Sequence, residues 1–246
     1  MEKQISVDIK YLDDEELIIK PIDSSKRLPT GINKNFPDHP TLMFCASGTG
    51  AGKTTLVQYL LAVPYNCFFN KIFFFCPTLD GAWKKFKINE ERVYTQYTDA
   101  AFQKVLDEIK EDDDSDCLII IDDCTGTNLF KRNNLISQFV FNHRHFPSLN
   151  SGTSLWFIGH QWHTLPKQVR AVVKDVILFK IHSVEELKEI ADDLRALMSM
   201  KDFMKIYHAC TKDKYNFMYI KREAEDSTEM FRKNFNTILK IEYIDE

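Results

Sequence analysis

Apolar runs of strand length recur along the chain: Thr41 to Ala46, Lys71 to Cys76, Cys117 to Ile121, Thr153 to Ile158 and Asp175 to Ile181. A strand that is apolar on both sides is buried on both faces, as in a parallel sheet covered by helices. Between these runs the pattern changes to helical period. Asp99 to Lys110 puts Phe102, Val105, Leu106 and Ile109 on one face. Ser183-Val-Glu-Glu186 forms a capping box that opens a helix over Val184–Met198, with Leu187, Ile190, Ala191 and Leu194 inward. Leu129 to Phe141 reads as a further helix, and Arg92 to Tyr97 as a short strand. Residues 1–20 alternate like one or two short strands. Pro21 to Pro40, rich in Pro, Ser and Asp, is a connection or an arm that packs on a neighbouring subunit. The tail predicts a helix near Lys201–Cys210, a strand Tyr215–Lys221, a helix near Thr228–Asn234 and a last strand Thr237–Tyr243.

The first buried run feeds Ser47-Gly-Thr-Gly-Ala-Gly-Lys-Thr-Thr55 and then a helix-forming stretch, Leu56 to Val63. Glycines at 48, 50 and 52 let successive backbone N–H groups turn inward on an anion. The helix that follows adds its positive N-terminal end. This is a Walker A loop: Gly48, Thr49, Gly50, Ala51, Gly52, Lys53, Thr54 and Thr55 would hold the phosphates of a nucleotide, Lys53 reaching the outer ones and Thr54 ligating Mg2+. Ser47 stands where the pattern wants Gly. A dinucleotide fingerprint fails, because Gly48-x-Gly50 would need Gly at the position of Lys53.

Cys117 to Asp123 supplies a second anchor, an apolar strand ending in two carboxylates. Such a Walker B strand holds Asp122 rigidly for Mg2+, while Asp123 polarises the attacking water. The run Thr153 to Ile158 ends in turn on Gly159-His160-Gln161. His143-x-His145 and His160-x-x-His163 invite zinc, yet no Cys or carboxylate stands at ligand spacing beside them. Trp83, Lys84, Lys85, Phe86 and Lys87 interleave aromatics with positive charge, which suits either a nucleic-acid backbone or an ordinary solvated turn.

Composition adds limits. With 246 residues, 28% charged and 44% hydrophobic, the chain fits one large α/β domain. Its parts are N-terminal strands and arm over 1–40, a core over 41–182, and C-terminal helices and strands over 183–246. The net charge of −4 argues against a protein that coats polyanions throughout, while leaving room for a local basic strip. The six cysteines lack CxxC spacing and mostly fall in predicted strands, as reduced intracellular thiols do. Neither a signal peptide nor a membrane-spanning run is expected.

A whole strand separates the Walker A helix from the Walker B strand, and another with a polar end follows. That order resembles the P-loop NTPases with an additional central strand and a catalytic acid. Within them, Asp122-Asp123, Arg144-His145 and the run Gln161…Leu165-Pro166…Arg170 are similar to the genome-packaging ATPases of poxviruses, giant DNA viruses and virophages, in the FtsK–HerA superfamily. Asp123 departs from the Glu that many superfamily members carry there. The resemblance implies a central, mostly parallel sheet with the Gln161 strand between the Walker strands, Gln161 aiming at the γ-phosphate. It further implies a homo-oligomeric ring, hexameric by analogy, that uses ATP and Mg2+ to drive double-stranded DNA into a capsid. Such a motor works with capsid vertex proteins, at the assembly site in the host cytoplasm or in the virion. Arg170, or else Arg144, would act on a neighbour's nucleotide. A helicase or recombination ATPase on single strands, and a nucleotide-gated interaction protein with little turnover, remain as alternatives.

Overall fold

The buried runs pair side by side, as double-sided apolar strands must. A computed structural model describes residues 4–11, 34–77, 83, 88–124, 129, 134–148, 151–195 and 198–244. The central strands are β2 (Leu42–Ala46), β3 (Lys71–Phe75), β5 (Cys117–Asp122), β6 (Thr153–Gly159) and β7 (Asp175–Leu178). They lie parallel in the order β7-β2-β6-β5-β3. The two-residue β4 (Val93–Tyr94) closes one edge in parallel with β3. Beyond β7 the sheet turns antiparallel through β8 (Met218–Lys221), β9 (Phe231–Lys233), β10 (Thr237–Ile244) and β1 (Gln4–Tyr11). All ten strands among the described residues thus belong to one sheet, the N-terminal strand included. The fold is α/β, with a mostly parallel centre.

Period-two alternation divides each central strand between two cores. Leu42, Phe44 and Ala46 of β2, with Ile119 and Ile121 of β5, face one side. There they meet α2 (Asp99–Lys110), α3 (Leu135–Phe139), α5 (Val184–Leu194) and α6 (Met200–Cys210). Met43, Cys45, Leu118 and Ile120 face the other side, under α1 (Lys53–Ala62) and an aromatic group that includes Phe36, Tyr65, Trp83 and Trp156. Two covered faces explain why these strands carry almost no polar positions.

Caps are as the sequence implies at α5, where Ser183 Oγ accepts from the Glu186 N–H at 3.2 Å. Some elements differ. Thr228–Asn234 is no helix: a 3-10 turn at Ser227–Glu229 leads into β9, which forms a hairpin with β10. Asn234, at φ 53°, sits in that hairpin's turn, a conformation Asn tolerates better than most residues. The helix expected over Leu129–Phe141 is confined to Leu135–Phe139 among the described residues, because Asn134 is extended (φ −62°, ψ 150°) and stops it. Lys84, Lys85, Phe86 and Lys87 lie outside the described residues, as does the whole of 12–33. Trp83 is buried, its ring 5.0 Å from that of Phe74, so it serves the core.

Candidate functional site: a phosphate loop facing two carboxylates

The C-terminal ends of β2, β6 and β5 lie side by side at one end of the sheet, tied by backbone hydrogen bonds. Ser47 N–H donates to Gly159 O (3.3 Å) and Asp123 N–H to Ile158 O (3.0 Å). From β2 the chain turns through residues 47–52 into α1, whose first hydrogen bond runs from Leu56 N–H to Gly52 O (2.9 Å). Gly50 and Gly52 take φ of 74° and 107°, a left-handed backbone open to glycine at little cost. Gly48, Thr49 and Gly50 are exposed, Ala51 and Gly52 half-buried, and Thr54 half-buried on the first turn of α1, with Thr55 exposed beside it.

Lys53 is buried, 8% exposed, and folds back over the loop. Its Nζ donates to Ser47 O (2.9 Å), Ser47 Oγ (3.2 Å) and Gly48 O (3.4 Å). Ser47, the departure from the glycine pattern, therefore provides two of the acceptors. Asp122 ends β5, 9% exposed, and Asp123 follows at φ 50°, a left-handed position where Asp is enriched. The buried Cys45 thiol reports on both charges. Its pKa is pushed up to about 12, by burial first, with Lys53 opposing and Asp122 adding to the shift. In register, Cys45 and Asp122 both pair with Ile158, so Asp122 ends its strand level with the entry to the loop. A carboxylate and a hydroxyl are hard oxygen donors, so Asp122 and Thr54 fit Mg2+ in kind.

His160, the first residue after β6, joins the two halves of the site. Its Nδ1 lies 2.9 Å from Ser47 O and 3.5 Å from Lys53 Nζ, and its Nε2 is 3.2 Å from Asp123 Oδ1. Strand side chains alternate, so adjacent residues at a strand end face opposite ways. Here His160 turns to the loop, while Gln161 is exposed at the start of the 3-10 turn Trp162–Thr164. Sequence reasoning noticed His160 only as half of a zinc-like pair. Its position at the tip of a buried strand was the usable signal.

The other expected residues stand apart from this cluster. Arg170, on α4 (Lys167–Val172), is only 12% exposed and points within its own chain: its NH1 donates to Glu189 (2.5 Å) and lies 3.2 Å from Asp193, both on α5. To act on a neighbour it would have to leave both carboxylates. Arg144 is exposed, in the turn His143–His145 at the opposite end of β6. Seven strand residues separate that end from the loop, roughly 20 Å at about 3.3 Å each. His143 beside it is buried, its Nδ1 2.7 Å from Thr153 O, and burial lowers its pKa to about 4. That histidine is a core residue.

Strand, glycine loop and helix, with a strand inserted before an acid-tipped neighbour, define a P-loop NTPase fold. No protein-family model matches the chain, and neither does any curated protein sequence. Among solved structures it is similar to the DNA-packaging ATPase B204 of Sulfolobus turreted icosahedral virus, with a TM-score of 0.59 and 16% identity over 80% of this chain and 98% of that one. The genome-packaging NTPase B204 of Sulfolobus turreted icosahedral virus 2 is also similar. In complex with ATP-γ-S its TM-score is 0.57, with 15% identity over 79% of this chain and 96% of that one. With AMPPCP the TM-score is 0.56, at 16% identity and the same coverage. The chain shares the fold of these viral packaging enzymes.

Proposed function

We propose that the chain is an ATP-hydrolysing motor that moves double-stranded viral DNA into a capsid. One observation carries this reading: β6 lies between the loop strand and the acid-tipped strand, His160 at its tip faces both Lys53 and Asp123, and Asp122 ends its strand level with the loop entry. In the viral packaging NTPases that share the fold, bound ATP analogues support a nucleotide here. Catalysis of phosphoryl transfer is mostly positioning and charge neutralisation, which this set of groups can supply. Residues Gly48 to Thr55 hold the phosphates, with Lys53 exchanging its carbonyl partners for phosphate oxygens. Thr54 and Asp122 hold Mg2+, which would neutralise charge on the phosphates. Asp123 orients the attacking water, held near His160, and Gln161 senses the γ-phosphate from the exposed end of the same strand. Arg144, exposed and remote from its own loop, has the stronger case for service to a neighbouring copy in a ring. Arg170 would first have to break its ion pairs.

The working form in this reading is a ring, taken as a hexamer, with DNA in its channel and capsid vertex proteins as its dock. Its place is the host cytoplasm or the virion. Lys84, Lys85 and Lys87 are the proposed backbone contacts to DNA, which a packaging motor reads without sequence preference and with strong salt dependence. Steady-state ATPase assays with Mg2+, with and without duplex or single-stranded DNA, test this. Duplex should stimulate turnover, and Lys53→Ala should abolish it. Stimulation by single strands alone would make the protein a helicase-like ATPase; nucleotide binding without turnover would make it a switch.

A further inference from the structure

The loop has a second neighbour that phosphate chemistry leaves unused. A Cβ on Gly52 would lie 3.4 Å from Tyr215 Cδ1 and 3.7 Å from Phe179 Cε1. Phe179 is buried and packs on Phe217, with ring centroids 5.2 Å apart. Tyr215 is different: the residue is 58% exposed, although Tyr is a residue that folding ordinarily half-hides. Its backbone takes φ 70°, uncommon for a bulky residue, so the surrounding loop must hold it there. The hold is visible. Asn216 N–H donates to Asp213 O (3.3 Å), Phe217 N–H to Asn234 Oδ1 (3.1 Å), and Asn234 N–H to Phe217 O (2.9 Å). Lys214 Nζ lies 4.7 Å from the Tyr215 ring centroid, adding positive charge beside it.

Sheet order gives this ring a direction. Asp122, Asp123 and His160 stand on the β6–β5 side of the loop strand β2, whereas Phe179 and Tyr215 stand on its β7–β8 side. A triphosphate whose outer end meets the carboxylates must leave the loop by the opposite side. Its nucleoside then emerges beside Gly52, where the exposed ring is. We propose that Tyr215 is the platform on which the base of the bound nucleotide stacks, its ring lying beside Gly52 of the loop. This rests on the phosphate-loop reading above. Every base has a π-face, so a stacking platform is indifferent to which base it takes.

The test compares three ligands by calorimetric titration in the presence of Mg2+: ATP, GTP and inorganic tripolyphosphate, which has the phosphates and no base. Tyr215→Asn is the chosen variant, because Asn tolerates a left-handed backbone and so preserves the loop. Tyr215→Trp is the rescue. Tyr215→Asn should weaken ATP and GTP alike by about tenfold, the size of one lost base–aromatic stack, and leave tripolyphosphate unchanged. Tyr215→Trp should bind as the wild type does, and Lys53→Ala should lose all three ligands. Unchanged ATP affinity in Tyr215→Asn overturns the proposal. So does an equal loss of tripolyphosphate, which would make Tyr215 a prop for the loop. A wild-type protein that binds neither ATP nor tripolyphosphate overturns the phosphate-loop reading itself, and the platform with it.

Discussion

Arg170→Ala separates two roles that the same residue type fills in P-loop enzymes. As an arginine supplied to a neighbour, it would matter to turnover and hardly at all to folding. The structure gives it another use. Its guanidinium bridges Glu189 and Asp193 on α5 and is 12% exposed, while the two carboxylates are 40% and 26% exposed. Asp193 also accepts from Trp162 Nε1 at 2.8 Å, so the ion pair helps clamp α5 onto the turn that follows β6. A fully exposed pair is worth about 0–1 kcal/mol, and removing one partner of a buried pair costs about 3–5 kcal/mol. A buried arginine with partly solvated acids falls between, at about 2 kcal/mol. In a chain of this size each kcal/mol moves the melting temperature by roughly 2–4 °C, so a drop of about 4–8 °C is expected. Calorimetry measures this, alongside turnover taken well below the transition, which should fall less than about tenfold. Arg170→Lys should recover only part of the stability, because an ammonium lacks the planar fork that meets two carboxylates. An unchanged melting temperature with turnover lowered by about 10³–10⁵ would refute the clamp and restore the trans role. Mixed rings of Arg170→Ala and Asp123→Asn subunits should then regain activity.

Asp123→Asn should keep Mg-ATP binding and lower turnover by about 10²–10⁴, whereas Asp122→Asn should raise the Mg2+ concentration needed; if the two exchange behaviours, their roles are reversed. Ser47→Gly removes one acceptor from the free lysine, so the exchange onto phosphate costs less and ATP should bind a few-fold tighter by calorimetry; weaker binding would mean that the side chain shapes the loop. Asp175 is buried, with Tyr219 OH donating to it at 2.5 Å and Thr41 Oγ1 also donating; burial raises its pKa from 3.8 to about 6 against those bonds and Lys221. The folded state therefore holds this proton more tightly than the unfolded chain. Its contribution to stability is full below about pH 4 and lost as pH rises through 6, about 3 kcal/mol in all. Asp175→Asn should flatten that fall in urea unfolding between pH 4 and 7, and an unchanged slope would contradict it.

The parallel centre was readable because burial on both faces leaves a mark at every position of a strand. Ile119 and Ile121 serve one core, Leu118 and Ile120 the other, and no polar residue interrupts them. The antiparallel extension leaves a weaker mark. Met230 and Phe231, where β9 begins, resemble the start of an amphipathic turn, and only pairing with β8 and β10 makes Phe231–Lys233 a strand. Pairing of β1 with β10 joins residues more than two hundred positions apart, and no local pattern specifies such a partner. At the site, the order of the loop strand, the inserted strand and the acid-tipped strand was legible, but which side chain turns inward at the tip of β6 was not. One residue of register exchanges His160 for Gln161. Tyr215 reads as the first residue of a strand, and its exposure follows from a backbone angle that sequence pattern does not reveal.

The departure at Ser47 bears on how the loop holds its buried lysine. A buried ammonium without partners is costly, and Lys53 is 8% exposed. Two carbonyls and the Ser47 hydroxyl satisfy it, and that hydroxyl donates in turn to Gly48 O at 2.8 Å. Glycine at position 47 would remove the hydroxyl from that set. Ser47 O is also the oxygen that faces His160 Nδ1. A phosphate that draws Lys53 away therefore leaves His160 as the remaining side-chain neighbour of that carbonyl, with its other nitrogen still on Asp123. Lys53 and Asp123, the residues proposed to meet the phosphates and to orient water, are thus linked through one backbone oxygen and one imidazole. An exposed glutamine one position later could not make that link from where it stands.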